Sequence, residues 1–304
     1  MKYSYLLRLT LWAAFLSILV WCAPRLAFSA PQNPTPTQPN ENLTSPTEIT
    51  QPPEMPEAVI SFSESDLQYV GVRYECDYRP DLLQLLTAES KLQTNGKNLT
   101  ILIVHTHGSE SFSGDYPMVE SYRTLDDTLN MIAIGDEVAR VLEMAGIRVL
   151  HDRNIYDYPN YSGAYSAARK SIKAYLQEYP EICLVLDLHR DAGVGDYGSL
   201  VTAATVGGQK SAQIMMVVGT DGSGKVHPNW QDNLSLALKL SALLERENPG
   251  ITRNIELREQ RFNMDLSPGS LLVEVGAAGN TLQEAKIAAN ALALAVLELL
   301  GMKL

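Results

Sequence analysis

The stretch ICLVLDLHRDA, residues 182 to 192, has the composition of a buried β-strand that ends in charge. Its first seven positions are apolar except for Asp187, and His189, Arg190 and Asp191 follow directly. An apolar run of this length is typical of a strand that is covered on both faces. Ligands of open α/β sheets bind beyond the carboxyl ends of the strands, so these polar side chains predict a functional edge of the sheet.

Strand-like and helical segments alternate on both sides of this stretch. Further strand-like runs are LTILIVHTH (99–107), IRVLHD (147–152), AQIMMVVG (212–219) and SLLVEVG (270–276). The segment NMIAIGDEVARVLEMAG has helical periodicity, and its terminal Gly146 is expected to end the helix. Strands that alternate with long helices predict an α/β fold with a mostly parallel sheet, covered by helices on both faces.

The first 57 residues do not have the composition of a globular domain. Residues 1–30 contain an apolar, uncharged run between Arg8 and Arg25, which predicts an uncleaved membrane anchor, with a cleaved signal peptide as the alternative. Residues 31–57 are rich in Pro, Thr, Gln and Asn and are expected to form a disordered tether. Residues 58–97 are expected to be an N-terminal extension, followed by one α/β domain over residues 98–304.

Composition restricts the kinds of ligand and the kinds of metal site. The formal net charge of −11 argues against a nucleic-acid groove, which needs a basic surface. The three cysteines, Cys22, Cys76 and Cys183, have neither zinc-ligand nor redox-motif spacing. A metal site in this chain would therefore use histidine and carboxylate side chains.

Three predicted strand ends carry side chains that can bind a metal or move a proton. His105 and His107 follow the run ILIV, His189 follows LVLDL, and Glu274 lies in LLVEVG. A catalytic zinc site needs three protein ligands and one open position, and a separate carboxylate can act as general base. Spacing alone leaves a second interpretation open, in which these histidines are hydrogen-bonded residues without a metal.

The segment GTDGSGKV, residues 219–226, has the glycine and lysine spacing of a phosphate-binding loop. Val226 stands where the Ser or Thr that binds Mg²⁺ would follow the lysine. Pro228 prevents a helix from starting at once, so no helix N-terminus would face a phosphate. We therefore interpret this segment as a Gly-rich surface loop.

Four motifs occur in the order seen in the stage II sporulation protein P family. They are HTHGSESF (105–112), TLDDTLNMIAIGDEVARVLE (124–143), VLDLHRDA (185–192) and NMDLSPGSLLVEVGAAGNTLQEA (263–285). The chain resembles this family over residues 98–300, and the family is similar to the zinc-dependent N-acetylmuramoyl-L-alanine amidases. The resemblance implies an amidase-like catalytic domain over residues 98–304.

The resemblance also implies a zinc site, made by residues that match the amidase motifs. His107, which precedes a glycine, and His189 match the two histidine ligands. Asp126 stands four residues before an asparagine and matches the acidic ligand, although the amidases usually have Glu there; Glu110 is the alternative. Glu274 matches the catalytic carboxylate.

Two residues are expected to bind substrate. Arg190 follows a predicted ligand and has a structural salt bridge as its alternative role. Asn263 lies in a segment where Phe262 and Met264 stand at positions that are Tyr and Gln in the family pattern. Because of this departure, we assign no role to the side chains of Phe262 and Met264. Asn263 remains the candidate in this segment for binding substrate.

The remaining histidines are expected to stay outside the zinc site. His105 points to the same side as His107 if the strand continues, because side chains two positions apart share a face. We expect His105 to support the site without binding the metal. His151 and His227 are expected at the surface.

The resemblance implies a peptidoglycan hydrolase held on the cell membrane with its catalytic domain outside. It would cleave the amide between N-acetylmuramic acid and the L-alanine of the stem peptide, and also peptide cross-links. Its partners would be the stage II sporulation proteins D and M, in the membrane that engulfs the forespore. The alternatives are a peptidoglycan-binding module with an idle site, a zinc carboxypeptidase-like enzyme on free peptides and, more distantly, a nucleotide-dependent enzyme.

Overall fold

The predicted alternation of strands and helices is present in the structure. The computed structural model describes residues 60–92, 99–114, 122–195, 198–302 and 304. The anchor and the tether predicted for residues 1–57 lie outside the described residues. Among the helices of the described ranges, none combines the length and the apolar character needed to cross a membrane.

The described strands form one large sheet and two small hairpins. In chain order they are β1 (Val72–Glu75), β2 (Thr100–Val104), β3 (Arg148–His151), β4 (Ile182–Asp191), β5 (Val194–Gly195), β6 (Gly198–Ser199), β7 (Ala204–Val206), β8 (Gln209–Ser211), β9 (Ile214–Gly219), β10 (Ile255–Arg258) and β11 (Ser270–Ala277). Seven of them form a sheet in the order β1-β10-β9-β11-β4-β2-β3, and only the β9–β11 pair in this sheet is antiparallel. The prediction of a mostly parallel sheet is confirmed.

Helices cover both faces of this sheet. The described α-helices are α1 (Glu64–Leu67), α2 (Leu82–Thr87), α3 (Met131–Met144), α4 (Ala164–Glu178), α5 (Trp230–Glu247) and α6 (Leu282–Leu299). Helices α3 and α5 both pack against α6, and their apolar side chains share a core with Ile101 and Ile103 of β2. The alternate residues of β2, Leu102 and Val104, pack with Ile172 of α4 on the opposite face. The fully apolar sequence of β2 follows from this double coverage.

The described part of the predicted N-terminal extension belongs to the same sheet. Strand β1 pairs in parallel with β10 along its whole length. Helix α2 packs against α5, where the Ser235 hydroxyl donates a hydrogen bond to the carbonyl of Leu85 (2.7 Å). Removal of residues 60–92 would expose the edge of β10 and uncover α5, so experiments on this protein need the full chain.

The order of the strands brings three sequence motifs to one edge of the sheet. Strands β2, β4 and β11 are neighbours and run in the same direction, so their carboxyl ends lie side by side. Helix α3 begins beside this edge at Asn130, whose side chain accepts a hydrogen bond from the Ile132 amide (2.9 Å). As predicted, the helix ends before Gly146, which has a φ of +84°.

Candidate metal centre

Two histidines and one glutamate form a compact cluster at this edge. His107 lies in the turn after β2, Glu110 follows it in the same loop, and His189 lies near the end of β4. Glu110 Oε1 is 3.7 Å from His107 Nδ1, and Glu110 Oε2 is 3.5 Å from His189 Nδ1. One ligand atom from each residue lies within 4.8 Å of the other two.

The chemistry and spacing of this cluster fit a zinc ion. Two histidines and one glutamate are a known ligand set of catalytic zinc sites. Ligand atoms about 2.1 Å from a tetrahedral zinc lie roughly 3.4 Å apart, close to the separations of Glu110 from the two histidines. His189 Nε2 is buried and lies 3.0 Å from Asp187 Oδ1, but outside hydrogen-bond geometry with any described residue. His189 therefore turns Nδ1 toward Glu110 and the cluster, and Nε2 toward Asp187.

Asp126 does not join this cluster. Its side chain is exposed, and its Oδ1 accepts hydrogen bonds from the amide (3.0 Å) and the hydroxyl (2.6 Å) of Thr128. These bonds lower the pKa of Asp126 and fix a local turn before α3. The third position beside His107 and His189 is therefore taken by Glu110, the alternative in the sequence, and not by Asp126.

Two arginines hold Glu110 in place. The Arg190 backbone amide donates to Glu110 Oε2 (3.2 Å), and its guanidinium lies 3.5 Å from Oε1. Arg123 donates to the same Oε1 (3.3 Å). Burial alone would raise the pKa of Glu110, but hydrogen bonding to His189 and the positive charges around it lower the pKa to about 2. The carboxylate is therefore ionised and oriented before any metal binds.

The side chain of Arg190 is engaged in buried contacts around Glu110. Its guanidinium is buried and also donates to the carbonyls of Ser111 (3.1 Å) and Tyr122 (3.2 Å). These bonds tie together the two chain segments that flank Glu110. The prediction that Arg190 binds substrate is not supported by these contacts, whereas the alternative, a structural salt bridge, describes them.

Arg190→Ala is expected to lower the free energy of unfolding by roughly 3 kcal/mol, because the buried Glu110 carboxylate loses one of its two arginine partners. Arg153→Ala is the matched control, because Arg153 is half-exposed and pairs with the exposed carboxylates of Asp127 and Asp136. The control should cost less than about 1 kcal/mol. Urea unfolding of both full-length variants in the presence of a chelator measures the difference, and equal losses would contradict the positioning role.

His189 is held by a second buried carboxylate. Asp187, two positions earlier on the same face of β4, accepts hydrogen bonds from the amide (2.8 Å) and the hydroxyl (2.6 Å) of Thr106. Burial would lower the pKa of His189, but the charges of Asp187 and Glu110 raise it well above its ordinary value. The contact between Asp187 and His189 has the form of a carboxylate behind a metal-binding histidine.

Glu274 lies beside His189 on the neighbouring strand, in direct register with it. Its Oε2 is buried and has no hydrogen-bond partner among the described residues. Burial raises the pKa of Glu274 to about 8, and the charges of Glu110 and Asp191 act in the same direction. A carboxyl group that can be charged or neutral near neutral pH is suited to both accepting and donating a proton.

Two tyrosines form an aromatic wall around the histidines. The Tyr161 ring stacks on His107 with 4.6 Å between centroids, and it is more than half exposed. The Tyr165 ring lies 5.4 Å from His107 and 6.4 Å from His189. Neither tyrosine was predicted as a site residue, because an aromatic residue at the start of a helix has no specific sequence signal.

Asn263 is the second predicted substrate-binding residue, and its side-chain amide is already engaged. It donates to the carbonyl of Tyr165 (2.9 Å) and its Oδ1 accepts from Arg169 (3.3 Å). The backbone here is left-handed, with a φ of +61°. Asn263 therefore joins the segment before β11 to helix α4, and its role toward a substrate stays a prediction.

The other histidines are all at least partly buried. His105 is fully buried, with Nδ1 3.1 Å from the Leu188 carbonyl and Nε2 2.9 Å from His151 Nε2. Burial and the neighbouring His151 lower the pKa of His105 to about 3. His227 is 1% exposed, so the prediction that it lies at the surface is wrong. The His151 side chain is 11% exposed and lies 3.1 Å from Asp136, so it is only partly buried.

Comparison with known proteins agrees with the motifs in the sequence. Residues 31–297 match the family model of Stage II sporulation protein P (SpoIIP). The Stage II sporulation protein P of Bacillus subtilis (strain 168) is 28% identical over 216 residues, which cover 66% of this chain and 51% of that protein. This chain therefore spans about half the length of that curated relative.

Solved structures with a similar arrangement of elements include two amidases. The CwlD amidase from Clostridioides difficile, in complex with the GerS lipoprotein, is 16% identical and has a TM-score of 0.45, with 66% of this chain and 98% of that chain covered. The N-acetylmuramoyl-L-alanine amidase AmiC2 of Nostoc punctiforme is also 16% identical, with a TM-score of 0.38 and coverage of 66% of this chain and 97% of that chain.

The family model of Stage II sporulation protein P matches most of the length of this chain, and the chain therefore belongs to the stage II sporulation protein P family.

Proposed function

We propose that this protein is a zinc-dependent peptidoglycan hydrolase that cleaves the amide between N-acetylmuramic acid and the L-alanine of the stem peptide. One observation carries the proposal: the His107–Glu110–His189 cluster adjoins the carboxyl group of Glu274, whose Oε2 is buried and has no hydrogen-bond partner among the described residues. Membership of the family connects this chemistry to sporulation and to the cell wall.

His107, Glu110 and His189 would hold the zinc ion. When bound there, zinc would polarise the scissile carbonyl and make water nucleophilic near neutral pH. The Arg190 amide and the Arg123 guanidinium orient Glu110 for this role. Asp187 orients His189 from behind.

Glu274 is the residue that would move protons. Its Oε2 would accept a proton from the attacking water and then donate it to the nitrogen of the leaving L-alanine, so that the amine departs neutral. In the metal-free protein, burial of Glu274 raises its pKa and so favours the protonated form. The rings of Tyr161 and Tyr165 beside His107 would limit the access of bulk water.

The finer features of the family are proposed together with this activity. They are cleavage within peptide cross-links, joint action with the stage II sporulation proteins D and M, and an N-terminal anchor that holds the domain outside the cell membrane during forespore engulfment. The family match and the apolar run within residues 1–30 support these proposals.

Mass spectrometry of purified sacculi, digested with the full-length protein and zinc, tests the activity. New L-alanine amino termini on released peptides would support an amidase, and cut cross-bridges would support an endopeptidase. Binding to sacculi without any new terminus would instead indicate a peptidoglycan-binding module with an idle site. Cleavage restricted to free peptides would indicate a carboxypeptidase-like enzyme, and either of these last two results would overturn the proposal.

A further inference from the structure

A groove of about 340 Å³ opens beside the metal centre. Three segments line it: the start of α4, the Gly-rich turn after β9, and the loop after β10. Tyr165 of α4 lines the groove and also lies against His107 and His189. The groove and the metal centre therefore share one wall, and an extended molecule could occupy both.

The groove has an excess of positive charge. Arg169, Lys225 and Arg261 line it, and none of the described lining residues is acidic. Asp265 lies behind the lining and accepts two hydrogen bonds from Arg169 (2.7 and 2.6 Å), with Arg261 3.4 Å away. Among the described residues Lys225 has no ion-pair partner. Three cations thus face one nearby carboxylate.

The acidic residues near the Gly-rich turn lie outside the lining of the groove. Asp221 accepts a hydrogen bond from the Tyr78 hydroxyl (2.7 Å), and neither of these residues lines the groove. Glu259 packs beside Gly222, also outside the lining. The chain as a whole carries a net charge of −11, so a concave surface whose charged lining residues are all cations is a local exception. Such a surface attracts and orients anionic groups.

We propose that this groove binds the carboxylate groups of the stem peptide while the amide to be cleaved lies at the metal centre. The inference rests on the proposed function, and it names the part of the substrate that the protein recognises. A peptide is favoured because Tyr165 and Phe262, whose rings are 5.8 Å apart, give the groove an aromatic side next to its cationic one. The Gly-rich turn then has a role that does not involve a nucleotide: it presents Lys225 to a carboxylate.

Direct binding tests this proposal without requiring turnover. The probes are two fluorescent N-acetylmuramoyl dipeptides, one that ends in D-glutamate with two free carboxylates and one with both carboxylates amidated. Binding to the full-length Glu274→Gln variant is measured by anisotropy, so that neither probe is cleaved. We expect the free acid to bind on the order of fivefold more tightly than the amide.

Charge removal in the groove should abolish this preference. Lys225→Gln should at least halve the ratio of the two affinities, and Lys225→Gln with Arg261→Gln should bring it close to one. Lys286→Gln, on helix α6 and outside the groove, is the matched control and should keep the full ratio. Because Lys225 is exposed and forms no ion pair with a described residue, its substitution should not disturb folding.

Two results would overturn the subsite: equal binding of the two probes, or an unchanged preference in both groove variants. The sacculus digestion is a separate measurement on the wild-type protein. If the wild-type protein leaves sacculi intact while the groove still discriminates between the probes, the hydrolase proposal fails and the carboxylate site stands. If sacculi are cleaved and the probes bind equally, the hydrolase stands and the carboxylate site fails.

Discussion

Glu274→Gln is expected to lower kcat for peptidoglycan cleavage by about 10²–10⁴-fold while the protein still binds zinc. Glutamine keeps the size of the side chain, but it cannot take a proton from water or deliver one to the leaving nitrogen. Zinc content, melting temperature and dye release from labelled peptidoglycan should be measured on one preparation. Near-normal turnover of this variant would remove Glu274 from the mechanism.

Glu245→Gln is the matched control for this experiment. Glu245 is also buried, but its oxygens accept hydrogen bonds from the amides of Gly250 (2.8 Å) and Thr252 (2.6 Å) at the end of α5. Its loss should therefore lower stability and leave the kcat of the folded protein near the wild-type value. Both oxygens of Glu245 accept hydrogen bonds, whereas Oε2 of Glu274 has no hydrogen-bond partner among the described residues. The Glu245 variant should therefore lose stability, and the Glu274 variant should lose activity.

The same Glu274→Gln variant should be more stable than the wild type in metal-free protein at alkaline pH. Burial raises the pKa of Glu274 from 4.5 to about 8, so this side chain favours the fold only while it is protonated. Its contribution is complete below pH 4.5 and is lost as the pH rises toward 8. We expect equal melting temperatures near pH 4 and a variant that melts on the order of 5 °C higher at pH 8. An equal or lower melting temperature of the variant at pH 8 would show that the carboxyl group is not buried as described.

Glu110→Ala is expected to lose zinc, whereas Asp126→Ala is expected to retain it. Removal of one of three ligands should weaken metal binding by more than the 10–100-fold that is typical when a supporting residue behind a ligand is lost. Asp126→Ala is the matched control, because it also removes a carboxylate from the segment between β2 and α3. Among the described residues, the Asp126 carboxylate accepts hydrogen bonds only from Thr128. Chelator competition on the full-length variants ranks the two carboxylates.

Folding must be checked for Glu110→Ala, because Arg190 and Arg123 would then lack their shared carboxylate. Glu110→Gln preserves the shape and should also bind zinc more weakly than the wild type, so it serves as a second test. If Asp126→Ala loses zinc and both Glu110 variants keep it, the third ligand is assigned incorrectly.

The sequence predicted five of the seven strands of the sheet and placed candidate site residues at the ends of three of them. Fully apolar strands such as β2 require cover on both faces, and this follows from composition alone. His189 at the end of β4 and Glu274 in β11 could be identified because polar residues in apolar strands are placed by the period of the strand. The convergence of these two residues with His107 follows from the rule that parallel strands share one carboxyl edge.

Loop geometry could not be read from the sequence, and it decided which carboxylate lies beside His107 and His189. Glu110 and Asp126 are both acidic and both lie between β2 and α3. Isolated bridges pair Glu110 with Arg123 and Ser111 with Asn130, which turns Glu110 inward. These pairings join residues more than ten positions apart, so neither propensity nor spacing encodes them.

The tertiary structure likewise decided the surroundings of the site. The direction of β9, antiparallel to β11, and the addition of β1 to the far edge of the sheet depend on pairings across the whole chain. The sequence places His151 at the surface, whereas in the fold its ring is partly covered and lies 2.9 Å from His105 and 3.1 Å from Asp136. Tyr165 reaches the metal centre only because α4 packs across β2. The period of a strand or helix fixes which way a residue faces within its own element, whereas its neighbours across the fold are set by the packing of elements that are distant in sequence.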